Sequence, residues 1–109
     1  MGFLFELIHH PQVSADFQQS KSYFAEIDKD LAQLFQADFQ AALRGIATGR
    51  EKGLLFAKGQ TIRCVKLARF SHKVFFEHAG SSKCFILGLI SGRRHPTRIR
   101  LMLSRRRSK

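Results

Sequence analysis

The chain lacks what several protein classes need. Tryptophan is absent, tyrosine occurs once (Tyr23), and proline and cysteine occur twice each in 109 residues. Cys64 and Cys84 form no CxxC pair and are too few for a disulfide framework, so both are expected as reduced thiols packed like small apolar residues. Long apolar runs are missing. The longest, residues 84–90, is broken by Gly88 and falls far short of the roughly 20 residues of a membrane helix. The opening Met1-Gly2-Phe3-Leu4-Phe5-Glu6 has no basic segment of the kind that begins a secretory leader, and Glu6 stands where a myristoylation signal needs Ser or Thr. The five histidines show no HxxxH or HExxH spacing, and no glycine-rich nucleotide loop is present, so neither a metal nor another cofactor is expected. These absences leave a soluble cytoplasmic protein as the expectation: a single domain over residues 1–104, with a frayed basic tail at 105–109.

Acidic residues are scarce too, at 8 against 19 Lys and Arg, for a net charge of +11. The imbalance is one-sided. Residues 1–51 hold seven acids and four bases, whereas residues 52–109 hold fifteen bases and one acid, Glu77. An anionic partner would therefore meet the second half of the chain. The run from Arg98 to the C-terminus could neutralise several phosphates, in which case binding would weaken steeply with salt. No aromatic residues interleave with that run to make a stacking platform for single strands.

What is present is a hydrophobic fraction of 44% with eleven phenylalanines, enough for a core. Phe3 to Ile8 reads as a strand ended by His9-His10-Pro11. Ser14 is a good N-cap, and Phe17, Phe24, Ile27 and Leu31 follow at helical spacing. Asp28-Lys29-Asp30 looks like a break, with Asp30 and Gln33 resembling a capping-box restart. Leu31, Leu34, Phe35, Phe39, Ala42, Leu43 and Ile46 continue the stripe, and Gly45 and Gly49 are available stops. The segment reads as a helical hairpin, with one long helix as the alternative.

Residues 53–59 are a loop or short strand. Three segments rich in Val, Ile, Phe and Cys follow, at residues 61–67, 70–79 and 83–90, the last two joined by a hairpin loop at Ala79-Gly80-Ser81-Ser82. Gly92 to Pro96 is a basic turn, and Thr97 would cap a short basic helix carrying Ile99, Leu101, Met102 and Leu103. The fold class is α+β in the order β-α-α-β-β-β-α, with an antiparallel sheet packed on the hairpin.

Four local patterns in this order resemble the RelE/ParE superfamily of bacterial toxins: His10-Pro11 before the helical hairpin, Arg63 opening Ile62-Arg63-Cys64-Val65-Lys66-Leu67, the strand Phe70-Ser71-His72-Lys73-Val74-Phe75-Phe76, and the last strand running into Ser91-Gly92-Arg93-Arg94-His95-Pro96. The turn is similar to the His-Gly-Arg-Arg-Asp-Pro pattern of the ParE branch. It matches at Gly92, Arg93, Arg94 and Pro96 and departs at Ser91 and His95. The resemblance implies a toxin that inhibits DNA gyrase and is silenced by a cognate antitoxin. The RelE branch implies a ribosome-dependent messenger-RNA endoribonuclease instead. A non-toxic basic nucleic-acid-binding relative is a further alternative.

RNA cleavage needs a base, an acid and cations around the scissile phosphate. In the RelE-like reading Arg63, Lys66, Lys73 and His95 would supply them. The His-Tyr pair that some relatives carry after the last strand is absent here. In the ParE-like reading Arg93, Arg94, His95, Arg98 and Arg100 are the candidates for target or antitoxin binding, the double arginine being able to grip a carboxylate or phosphate bidentately. His72 and His78 share a strand face with Val74 and Phe76 and read as packed or edge histidines.

Overall fold

A computed structural model describes residues 2–57 and 59–107. Eight elements follow one another: β1 (Glu6–His9), α1 (Gln12–Ile27), α2 (Lys29–Ala47), β2 (Leu54–Leu55), β3 (Arg63–Lys66), β4 (His72–Ala79), β5 (Lys83–Ser91) and α3 (Pro96–Arg107). The α+β class and the order of elements agree with the sequence reading, and β2 is the short strand the glycine-punctuated loop allowed. The strands form one sheet in the order β1-β5-β4-β3-β2. The four later strands pair antiparallel, and β1 joins the far side of β5 in parallel.

The helical hairpin covers one face of the sheet. Phe35, Phe39, Ala42 and Ile46 of α2 meet Val65, Val74, Phe76, Ile86 and Leu89 of the sheet, and Phe17 and Phe24 of α1 pack against this core. The opposite face carries α3, whose Ile99 and Leu103 close over Ile62, Phe75, Leu87 and Ile90. The alternation along β4 explains the sorting: Val74 and Phe76 face the hairpin, while Phe75 faces α3. Burying a large apolar side chain stabilises by about 1.5–3 kcal/mol, so the fully buried Phe35, Phe75 and Phe76 anchor both layers.

Several element ends differ from the sequence reading. The first helix starts at Gln12 rather than after Ser14. Pro11 already has helical torsions, and His10 Nδ1 accepts a hydrogen bond from Gln12 N at 3.0 Å. The same device opens α3, where His95 Nδ1 accepts from Thr97 N at 3.1 Å, so His95 and not Thr97 is the capping side chain. In both places proline fills the first turn, where its missing N–H is not needed. Between the hairpin helices the break is real, but Asp28 is the cap: its carboxylate accepts from Asp30 N at 2.8 Å. Gly45 does not stop α2, which runs on to Ala47.

The largest correction concerns the tail. Of the stretch 105–109 expected to fray, residues 105–107 are helical, because two arginines there find buried or half-buried carboxylates; residues 108–109 lie outside the described residues. Arg107 pairs with Glu77 at 2.7 Å. Arg106 pairs with Asp16 of α1 at 2.6 Å, with both side chains almost enclosed, at 11% and 13% exposure.

The reason lies in β5. Its pairing with β4 skips Leu87, since Phe75 lies opposite Gly88 and Phe76 opposite Ile86, a β-bulge in β5. β1 lies beside β5 only as far as Ile86. Just beyond, Asp16 accepts from Leu89 N at 3.0 Å, and Arg106 donates to Leu87 O at 3.0 Å. The ion pair thus satisfies the backbone groups left where β1 ends. Gly88 leaves the room: a Cβ there would lie 2.6 Å from the Arg106 guanidinium.

Removing one partner of an enclosed ion pair strands the other charge, so Arg106→Ala is expected to cost about 3 kcal/mol. The exposed Arg100→Ala should stay within about 0.5 kcal/mol. Urea unfolding midpoints of the two variants measure both values, and equal midpoints would show that the C-terminal turn is not anchored.

Candidate functional site

The structure separates the residues that a RelE-like reading groups together. Arg63 shares the alternation of Val65 and so faces the helical hairpin, where it donates to Gly53 O at 3.3 Å. Lys66 and Lys73 are direct cross-strand partners with the parity of Cys64 and Phe75, which places them on the α3 face. Like charges directly opposite each other on a sheet destabilise it. Lys66 bends away to donate to Leu67 O at 3.0 Å. His95 is occupied as the cap of α3. Arg98 and Arg100 are exposed on α3. Only Arg93 and Arg94 meet in a concave site, and they do so with residues the sequence reading did not group with them.

That site is a cleft of about 540 Å³ at one end of the sheet. Its floor is His72 and Ser91, which are paired across β4 and β5. Ser20 and Tyr23 of α1 form one wall, and the turn carrying Arg93 and Arg94 forms the other. Gly92 sets the position of that turn. Its N–H donates to Ser71 O at 2.9 Å, and a Cβ at Gly92 would stand 2.5 Å from the same oxygen, so no larger residue fits without moving the turn. The glycine of the Gly-Arg-Arg-x-Pro pattern therefore has a steric reason.

A second clamp holds the opposite rim. Asp38 of α2 is a buried charge, 5% exposed, and it accepts from Arg69 N at 2.8 Å, Arg69 Nη2 at 2.7 Å and Arg69 Nε at 3.1 Å. These bonds fix the β3–β4 connection against the hairpin. The guanidinium of Arg69 holds the Asp38 carboxyl below the ordinary carboxylate range, against the opposing effect of burial.

His72 is half-buried against Phe24 and Phe35, with ring centroids of Phe35 and His72 4.9 Å apart. Its Nε2 lies 3.1 Å from Ser20 Oγ, and its Nδ1 is buried without a hydrogen-bond partner. Desolvation, and then the positive charge of Arg94, push its pKa below the usual value of 6.5. His72 is thus packed, as the sequence reading favoured, yet it also floors the cleft. His78 is exposed, with Nδ1 3.3 Å from Cys84 Sγ. Burial pushes both thiols up, which suits packing rather than nucleophilic chemistry. Among the described residues no three His, Cys, Asp or Glu side chains gather in a way that could hold a metal ion, and no helix is long and apolar enough to cross a membrane.

The signals for this cleft were weak in the sequence. Ser20 and Tyr23 sit among polar helix positions, and the Asp38–Arg69 clamp joins residues 31 positions apart.

The fold is shared with a chain of the solved structure described as "Chromosomal ParDE TA system from P. aeruginosa". The match has a TM-score of 0.67 at 13% sequence identity and covers 81% of this chain and 96% of that one. At that identity the likeness is one of fold. No protein-family model and no curated protein sequence matches the chain.

Two measurements probe the site. The folded pKa of Asp38 is depressed, so its contribution to stability is present above the unfolded value of 3.8 and is lost as pH falls through the lower folded value. The stability gap between wild type and Asp38→Asn should accordingly be large at pH 7 and shrink below about pH 4. A gap that is independent of pH in urea titrations would contradict the clamp. For His72, an NMR titration of the ring should give a midpoint below 6.5, moving upward in Arg94→Gln. An unmoved midpoint would remove Arg94 from the vicinity of the ring.

Proposed function

We propose that the chain is the toxin component of a type II toxin–antitoxin pair, acting in the ParE manner by inhibiting DNA gyrase and held silent by a cognate antitoxin. The observation that carries this reading is the fold, which matches almost the whole of a chain from a ParDE system. The basic turn supports the ParE branch: Gly92 presses it against Ser71, and Arg93 and Arg94 project beside a cleft. The scattering of Arg63, Lys66, Lys73 and His95 over two faces and a helix cap weighs against one phosphate-cutting cluster.

An antitoxin has surface to cover. Both edge strands are open on one side, and large apolar residues stand exposed at or beside them: Phe3 and Leu4 before β1, and Leu54 and Leu55 in β2, at 77% and 53% exposure. An acidic, amphipathic segment that folds on binding suits such edges and the basic second half. Alone, the chain should self-associate.

One observation favours the RelE-like alternative. Lys66 and Lys73 face each other on the sheet, and Lys73 Cε lies about 3.6 Å from where a Cβ of Gly92 would stand, beside the basic turn. An anion between the two lysines would relieve their repulsion.

Purified chain assayed for plasmid supercoiling by gyrase and for messenger cleavage in a translating extract separates the two. The expected result is loss of supercoiling with intact RNA, relieved in an Arg93→Ala, Arg94→Ala double variant. Codon-phased RNA cuts that vanish in Lys73→Ala, with normal supercoiling, would overturn the ParE-like reading.

A further inference from the structure

The cleft between α1 and the β5–α3 turn has an unbalanced charge. Of its three arginines, Arg69 is neutralised by Asp38. Neither Arg93 nor Arg94 has a carboxylate partner among the described residues: Arg93 contributes its backbone N–H, to Ser91 Oγ at 3.3 Å, and the Arg94 guanidinium has the weak acceptor Met102 Sδ at 3.4 Å, its backbone N–H going to Ser91 O at 3.2 Å. Among the described residues no Asp or Glu lines the cleft, and the carboxylates nearby, Asp16 and Glu26, line the neighbouring groove on the other side of Arg94. Ser91 uses its oxygen as an acceptor from Arg93 N, which leaves its hydroxyl proton to donate. His72 brings the one buried side-chain polar atom without a partner among the described residues, its Nδ1. Two uncompensated guanidinium groups, hydroxyl donors and an imidazole around one concavity form a donor set for a multiply charged oxyanion.

We propose that this cleft binds the phosphate group of a small ligand, with Arg93 and Arg94 gripping its oxygens and Ser91 donating from the floor. The site is distinct from any RNA-cutting arrangement of Lys66 and Lys73, which lie on the other face of the sheet, so it stands or falls separately from the toxin reading. At about 540 Å³ the cleft is larger than a bare phosphate needs. Its remaining wall is aromatic: Tyr23 is 61% exposed, and its ring centroid lies 5.3 Å from that of Phe24. A planar group attached to the phosphate, such as the base of a nucleoside monophosphate, could rest against Tyr23. Burial and Arg94 both disfavour a positive His72, which would add a further charge beside the two unpaired guanidinium groups.

The test is an NMR titration of the full chain with inorganic phosphate and, separately, with a nucleoside 5′-monophosphate, at constant ionic strength set with chloride. Saturable shifts are expected at the His72 ring and at the amides of residues 91–94. Losing one charge-assisted grip should weaken binding about tenfold or more in Arg94→Gln, a surface change that should leave the thermal midpoint in place. Tighter binding of the nucleotide, reduced in Tyr23→Ala, assigns the aromatic wall to a base. Equal affinities for the two probes support the same site with the free anion as its ligand. The proposal is overturned if neither probe gives saturable shifts, if the shifts map to residues 98–107 instead, or if folded Arg94→Gln binds as well as wild type.

Discussion

The ion pair between Asp16 and Arg106 ties together three parts of the fold that no continuous backbone ladder could join. β5 is the strand every layer depends on: it pairs with β4 along its length, takes β1 on its other side, and packs α1 on one face and α3 on the other. Yet β1 ends at His9, and a bulge interrupts β5 at the same level. Backbone groups at Leu87 and Leu89 would be left in an enclosed region, where an unmet hydrogen bond is costly. A carboxylate from the first helix and a guanidinium from the last fill those roles and neutralise each other. The arrangement requires glycine at position 88, a helix that persists to the second of its three consecutive arginines, and an α1 that begins early enough to aim Asp16 at the strand.

The end of the molecule that carries the cleft follows from this frame. With α1 and α3 locked to β5, the loop between β5 and α3 has little freedom. Gly92 seats it on Ser71, and His95 caps the helix that follows. The Asp38–Arg69 clamp fixes the facing rim. Arg93 and Arg94 are consequently displayed on a turn whose ends are both held, a geometry that lowers the entropy lost when a partner is bound. No carboxylate among the described residues pairs with them: the acids of the chain lie mostly in its first half, and Asp16 and Asp38 already pair with other arginines.

The likeness to a ParDE chain is one of fold. Fold alone does not assign chemistry, because one scaffold hosts many sites. The more informative observation is how the basic residues divide: one set on the α3 face of the sheet, one on the hairpin face, one along α3. A net charge of +11 suggests an anionic partner, whereas this division decides which anion could be held where.

Much of the architecture was legible in the sequence because it is written in local period. The stripe of Phe35, Phe39, Ala42 and Ile46 repeats at helical spacing, the segments around Val65, Val74 and Ile86 alternate, and Asp28 marks the break between the helices. The basic turn and its double arginine were legible too, as neighbours in the chain. Tertiary structure alone decided the rest. Asp16 meets Arg106 across 90 positions and Asp38 meets Arg69 across 31, and neither pair has any periodic signature. The tail read as frayed because Arg105-Arg106-Arg107 has no apolar pattern; what orders it is buried charge, a force that local hydrophobicity does not record. The cleft is likewise a product of the fold, since His72 and Ser91 become partners only when β4 pairs with β5, and Ser20 and Tyr23 reach them only when α1 packs across the sheet. Local sequence determines which segments are helix and strand through short-range sterics and burial period. Which charges end paired, and which stay free to hold a ligand, depends on distances that exist only after the layers have closed.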